Sequence, residues 1–133
     1  TVDAEGKVTD KGPGVAKITV KEAATTDYKA ASKTVTVTVA PKKQGISLVN
    51  KIKKQLTIKW KKNTKASGYQ VVYSTNKKFT GKKTVRKAKT TTSYKIKGLK
   101  KGKKYYVKVR SYKTVNGKRI YGAYSTVKKA TIK

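Results

Sequence analysis

The sequence predicts an all-β fold of two tandem β-sandwich modules, the first of them incomplete. Short runs of apolar residues alternate with polar ones, as expected for strands with one buried face. Turn-forming residues separate these runs about every 8–12 residues, a spacing typical of sandwiches. A charge boundary near residue 41 divides the chain. All five acidic residues precede residue 28, whereas only six of the 36 basic residues lie in residues 1–40 and the other 30 follow.

The first module is predicted to contain a hairpin and two strands. A hairpin is expected within residues 1–10, where two valines flank an Asp-Ala-Glu-Gly turn. Apolar alternation predicts strands at residues 16–20 and 34–39, whose apolar faces need a partner sheet. Tyr28 lies in the loop between them, and we expect it to cover those faces. Residues 41–44 are predicted to be a linker, because the proline that opens it cannot donate to a strand ladder.

The second module, residues 45–133, carries the strand signals of a complete sandwich. Alternation predicts strands at residues 56–60, 69–74, 105–110 and 127–132, with a further apolar segment at residues 94–99. Residues 75–91 are predicted to be turn-rich and basic, with Phe79 and Val85 as their only large apolar anchors. Asn116-Gly117 is the signal of a two-residue type I′ hairpin.

These segments make residues 45–133 resemble a fibronectin type III domain. The resemblance rests on Leu-Thr-Ile-Lys-Trp (56–60), on Gly-Tyr-Gln-Val-Val-Tyr-Ser (68–74) and on the run from Tyr94 to Arg110. Tyr105 follows Leu99 by six residues, where this family places its corner tyrosine. The resemblance implies that the Tyr105 hydroxyl bonds to the backbone near Leu99.

Residues 1–40 resemble the C-terminal half of a bacterial Ig-like domain. The matching pieces are Thr-Val-Asp-Ala-Glu-Gly-Lys-Val-Thr (1–9) and Lys-Thr-Val-Thr-Val-Thr-Val (33–39). A domain of this kind needs about twice this length, so its first strands are expected to be missing. The chain also starts at Thr1 without a signal peptide, and we expect it to be a piece of a longer protein. Together the resemblances imply tandem Ig-like β-sandwiches in a secreted or wall-attached bacterial protein.

Large side chains on the inward faces of the predicted strands indicate the core of the second module. We expect a structural core that contains Trp60, Tyr69, Tyr73, Leu99 and Tyr105. Trp60, the only tryptophan, alternates with Leu56 and Ile58, which favours a role in packing over a role in stacking on a ligand.

The outward row of the strand at residues 105–110 is the candidate binding surface. Successive outward residues are spaced by about 6.6 Å, and the outward row of residues 69–74 is expected on the same face. Aromatic rings interleaved with cations suit sugars that bear sulfate or phosphate, and also single-stranded bases. The alternative is a solvated face on which tyrosines cover the sheet. Together with two lysines of the preceding turn, the candidate polyanion or glycan patch comprises Tyr106, Lys108, Arg110, Tyr112, Lys103 and Lys104.

The composition argues against an enzyme. The chain has no His and no Cys, and no acid follows Asp27, so residues 28–133 lack the usual acid–base pairs. No nucleotide-binding or nucleophile motif is present. The acids Asp3, Glu5 and Asp10 lack the spacing of a Ca²⁺ loop and are expected to serve in turns. We therefore expect no catalytic residue, no metal and no cofactor, and no membrane insertion, because no apolar run approaches about 18 residues.

The function expected from these features is that of a spacer and adhesion module of a bacterial extracellular or cell-surface protein. Its basic second module would bind anionic polymers without specificity, such as teichoic acid, sulfated glycans or extracellular DNA. Two alternatives remain. One is a subunit of an extracellular polymer that self-associates by strand addition through the incomplete first domain. The other is a non-specific nucleic-acid-binding protein, although only three arginines accompany 33 lysines, which argues against base readout.

Overall fold

A computed structural model describes all residues from Thr1 to Lys133 and contains ten strands and no helix, which confirms the all-β prediction. No helix with the length and apolar character needed to span a bilayer is present. In chain order the strands are β1 Gly14–Glu22, β2 Ala31–Val39, β3 Ile46–Val49, β4 Leu56–Trp60, β5 Gly68–Ser74, β6 Lys83–Ala88, β7 Ser93–Ile96, β8 Lys104–Val115, β9 Lys118–Tyr121 and β10 Lys128–Thr131.

The first 40 residues form a small unit with little burial. Strands β1 and β2 pair antiparallel from Gly14↔Val39 to Glu22↔Ala31, and a single bridge joins Val2 to Val8 in the predicted hairpin. All 22 buried residues of the protein lie beyond residue 40. The prediction that Tyr28 covers the apolar faces is wrong, because Tyr28 is 77% exposed. With only two strands, no second layer exists in this unit to cover it.

The second unit is a sandwich of two antiparallel sheets. One sheet has the order β3-β4-β7, and the other has the order β10-β8-β5-β6 with β9 also paired to β8. The inward residues of both sheets meet in one core. Its twelve buried members are Leu56, Ile58, Trp60, Tyr69, Val71, Tyr73, Ile96, Leu99, Tyr105, Val107, Val109 and Ile132. The five residues expected in the structural core are all among them.

One aromatic pair and one tyrosine hydrogen bond organise this core. The rings of Trp60 and Tyr69 lie 5.4 Å apart with planes tilted by 54°, a favourable geometry for an aromatic pair. The indole N–H of Trp60 is buried without a hydrogen-bond acceptor. At the corner, the Lys100 backbone N–H donates to the Tyr105 hydroxyl at 3.4 Å, so Tyr105 bonds to the backbone next to Leu99 as predicted.

Two strands escaped the sequence prediction. Strand β6 occupies Lys83–Ala88, within the segment expected to be turn-rich. It is an edge strand on β5, so Val85 opposite Val71 is its only large apolar residue facing the core. Strand β3 is only four residues long and pairs with β4 at the edge of the other sheet. Both strands lack a long alternating pattern, because an edge strand places few apolar side chains in the core.

The predicted linker, residues 41–44, contains no strand and packs on the second unit. Pro41 and Gln44 are buried. The Ser111 hydroxyl donates to the Lys42 carbonyl at 3.2 Å, and the Gln44 side-chain amide donates to Ser111 Oγ at 3.3 Å. Lys65 Nζ donates to the Lys11 carbonyl at 2.6 Å and so connects the two units.

Candidate anion-binding face

Strand β8 places the predicted binding row on the outer face of its sheet. Along this 12-residue strand, buried residues alternate with half-exposed ones from Tyr105 to Tyr112. Tyr106, Lys108, Arg110 and Tyr112 are the half-exposed members and point away from the core. The strand therefore shows the two-residue alternation from which this row was predicted.

The outward row of β5 lies on the same side but is not open to solvent. Val72 is 1% exposed, and its neighbours Gln70 and Ser74 are also buried. Strand β5 lies between β6 and β8 and is not an edge strand. Gln70 bonds to a side chain of β8, and the Ser74 hydroxyl donates to the Thr80 carbonyl at 2.8 Å. The row therefore lies beside the outward row of β8, as expected, but its residues are buried and add no exposed surface.

An irregular segment beside β8 completes the face. The Asn116-Gly117 turn has φ values of 48° and 73°, as a type I′ hairpin requires, and it returns the chain along β8 as β9. Beyond β9 the Gly122 N–H donates to the Ser111 carbonyl at 3.0 Å, and the Ser125 N–H donates to the Val109 carbonyl at 2.7 Å. These bonds hold residues 122–127 against β8 and bring two tyrosines, Tyr121 and Tyr124, over its outer face.

The two tyrosines enclose Arg110. Its guanidinium carbon lies 3.9 Å from the ring centre of Tyr121 and 4.3 Å from that of Tyr124. Its Nε donates to Gln70 Oε1 at 2.7 Å, and the Tyr124 hydroxyl donates to the same oxygen at 3.1 Å. We call Gln70, Arg110, Tyr121 and Tyr124 the Arg110 cluster. The cluster fixes the plane of the guanidinium by hydrogen bonding on one edge and by stacking.

Lys108 occupies a second aromatic site next to this cluster. Its Nζ lies 4.1 Å from the ring centre of Phe79 and 4.3 Å from that of Tyr124. Burial lowers the pKa of Lys108, and the positive charges of Lys82 and Arg110 lower it further. The cation therefore sits in a positive field that nothing in residues 41–133 balances, since this part of the chain has no carboxylate side chain.

All three arginines of the protein lie on this face. The register aligns Arg86 on β6 with Gln70 on β5 and with Arg110 on β8. On β9, the Arg119 guanidinium lies 5.6 Å from the ring centre of Tyr112, which also packs on the Tyr121 ring at 5.7 Å. Aromatic rings thus hold cations across the face, and Tyr106 is the one ring of the predicted row without such a contact.

The predicted patch separates into two parts. Lys103 and Lys104 lie at the start of β8, where they line an open cavity of about 600 Å³ together with Lys100, Thr75 and Tyr106. Lys108, Arg110 and Tyr112 belong to the aromatic part farther along the strand. Both parts can attract anions, but only the second fixes its cations in place.

Sequence reasoning missed several contributors to the face. They are Phe79, Arg119, Tyr121 and Tyr124. Tyr121 and Tyr124 follow the predicted hairpin closely, and their spacing in Tyr-Gly-Ala-Tyr-Ser was the signal available in the sequence.

Comparison with known proteins agrees with this architecture. The family model of the fibronectin type III domain matches residues 39–127, well over half of the chain. No curated protein matches the sequence.

Two solved structures illustrate the likeness of fold. A segment of two fibronectin type III domains from chicken tenascin superposes with a TM-score of 0.68 at 17% identity, covering 90% of this chain and 65% of the tenascin segment. A myokine structure superposes with a TM-score of 0.55 at 15% identity, covering 70% of this chain and 98% of the other. The chain therefore spans slightly less than two thirds of the tenascin segment.

Proposed function

The chain belongs to the fibronectin type III family, and on that premise we propose that it is a non-enzymatic spacer and adhesion module of a bacterial extracellular or cell-surface protein. The basic second unit binds anionic polymers such as teichoic acid, sulfated glycans or extracellular DNA, with little preference among them. One observation carries this proposal. Residues 41–133 hold 30 basic side chains and no acidic one, so the charges repel one another unless anions neutralise them.

The position of the lysines supports a diffuse mode of binding. Most of them are exposed on turns and strand ends, including Lys100, Lys101, Lys103 and Lys104. Lysine is a strongly hydrated point charge on a flexible stem, and it attracts phosphate or sulfate without reading its surroundings. The same lysines also keep the domain soluble. Their positive charge accounts both for solubility and for the attraction of anions.

Salt titration of polyanion binding tests this function. Heparin and duplex DNA should both bind the full chain at low salt, and log K should fall linearly with log salt by about 0.9 per DNA phosphate contacted. Replacing Lys100, Lys101, Lys103 and Lys104 by Gln should reduce that slope. The matched control is the replacement of four lysines of the first unit, Lys7, Lys11, Lys17 and Lys21, which should change it little. Binding that is independent of salt would contradict the proposal.

For the first unit we propose the C-terminal part of a bacterial Ig-like domain. Support comes from its two-stranded sheet, which buries no residue and leaves Val20 and Val35 exposed on one face. These valines suit a second sheet that would complete a sandwich.

The same unit supports a second candidate function, a subunit of an extracellular polymer. The outer edges of β1 and β2 are unpaired over nine residues each, and such edges accept strands from a neighbouring molecule. Sedimentation at increasing protein concentration tests this. Polymer formation that Val20→Lys and Val35→Lys suppress would support it, and a monomer at every concentration would contradict it.

A further inference from the structure

Arg110 has the properties of a prepared anion receptor. Its Nε is engaged by Gln70 at 2.7 Å, and its guanidinium is flanked by the rings of Tyr121 and Tyr124. The Tyr124 hydroxyl shares the Gln70 oxygen and so fixes that acceptor as well. A side chain that is already ordered loses little conformational freedom when a ligand arrives, which is the main benefit of preorganisation.

The terminal nitrogens of Arg110 remain available. The only hydrogen bond that the structure gives this side chain leaves from Nε. A guanidinium presents its terminal N–H groups as a rigid fork that matches two oxygens of one oxyanion. No carboxylate side chain in residues 41–133 can occupy that fork, and Lys108 contacts the same Tyr124 ring at the same 4.3 Å distance.

We propose that the Arg110 cluster is a binding site for a single sulfate or phosphate ester group carried by a polysaccharide. The fork of Arg110 receives two oxygens of the group, and Lys108 supplies a second cation beside it. The inference rests on the proposed affinity for polyanions and gives that affinity a defined centre.

The aromatic contacts favour a glycan over a single-stranded nucleic acid. Proteins that bind single strands stack successive bases on open aromatic rings. Here the rings of Phe79, Tyr121 and Tyr124 carry the cations of Lys108 and Arg110 at distances of 3.9–4.3 Å. These rings serve to position cations, so recognition depends on the oxyanion. The lowered pKa of Lys108 agrees, since a bound anion would offset the positive field around it.

A pair of charge-conserving variants tests the site. Arg110→Lys keeps the charge but removes the fork, whereas Arg86→Lys makes the same change at an exposed arginine of the same face. At one fixed salt concentration, calorimetry with heparin should show about tenfold weaker binding for Arg110→Lys, the loss expected for one charge-assisted hydrogen-bonded contact. Arg86→Lys should stay close to the wild type. Equal effects of the two variants would overturn the proposal.

Inorganic sulfate provides a test that does not depend on polymer binding. In the ¹H–¹⁵N spectrum of the wild-type chain, the Arg110 Nε–H and Gln70 side-chain signals should shift to saturation with sodium sulfate. Sodium chloride at matched ionic strength should not cause this. Arg110→Lys should abolish the saturable response of Gln70 while the rest of the spectrum shows that the variant is folded. Shifts that are linear and spread evenly over the lysine-bearing segments would refute the site.

The combined outcomes separate this inference from the proposed function. If the wild type does not bind heparin or DNA but sulfate saturates the cluster, the proposed function fails, and the cluster stands as a site for a single oxyanion but not for a polysaccharide. If both polymers bind with the expected salt dependence but Arg110→Lys has no effect, the site fails and the proposed diffuse binding by lysines is retained. Heparin and polyphosphate distinguish a sulfate preference from a phosphate preference. If Arg110→Lys weakens the binding of oligo-dT as much as the binding of heparin, the assignment to glycans is overturned.

Discussion

Replacing Trp60 by alanine should destabilise the second unit by about 3 kcal/mol, near the lower end of the range for large aromatic truncations. Trp60 is 6% exposed, so nearly all of its surface contributes to the core, including the contact with the Tyr69 ring at 5.4 Å. The wild type also carries a penalty, because the buried indole N–H has no acceptor. An unsatisfied buried donor costs about 1–3 kcal/mol, which places the net loss low in the range.

Replacing Trp60 by phenylalanine should have a smaller effect on stability. This change removes a few buried ring atoms, a loss of about 2 kcal/mol by transfer energy. It also removes the unsatisfied N–H, a gain of about 1–3 kcal/mol. The phenylalanine variant should therefore remain within about 1 kcal/mol of the wild type.

Urea denaturation followed by far-UV circular dichroism measures both variants. Trp60 is the only tryptophan, so its fluorescence cannot report on variants that lack it. An equal loss for Trp60→Phe and Trp60→Ala would refute the argument that the indole N–H is unsatisfied. A loss below about 1 kcal/mol for alanine would refute the central position of Trp60 in the core.

Two further predictions concern the stability of the two units. Burial, followed by the charges of Tyr94 and Tyr105, raises the pKa of Tyr73 above 10.0, so its contribution to stability is fully present below that pH and is lost as pH rises through the folded pKa. As pH is raised above 10.0, melts of Tyr73→Phe should lose less stability than melts of the wild type. Identical pH profiles for the two proteins would exclude this cause. Residues 1–40 expressed alone should be disordered or aggregate, whereas residues 41–133 should melt cooperatively. A well-dispersed NMR spectrum of monomeric residues 1–40 would contradict that expectation.

The parts of the fold that the sequence predicted are those with a complete alternating pattern. In β8 every second side chain from Tyr105 to Val109 enters the core, so periodicity indicated both the strand and its outward row. In β5 both rows are buried, and alternation alone could not reveal that a central strand has its outer face covered. Edge strands such as β6 present a single large apolar residue to the core and therefore leave a weak signal.

The candidate site was only half predictable for a related reason. Lys108 and Arg110 follow from the strand period, but the tyrosines that fix them do not. Tyr124 lies in an irregular segment whose path is set by backbone hydrogen bonds to β8, such as that from Ser125 to Val109. Local sequence patterns carry no information about bonds between segments this far apart.

The strand lengths of the two units differ in a way that governs aggregation. Edge strands β3, β6, β7, β9 and β10 of the second unit have only four to six residues. Between β9 and β10 the last edge is broken by residues 122–127. Short and interrupted edges that carry lysines are poor templates for another molecule. Strands β1 and β2 offer continuous edges of nine residues, so ordered stacking of this protein into fibres would have to begin there.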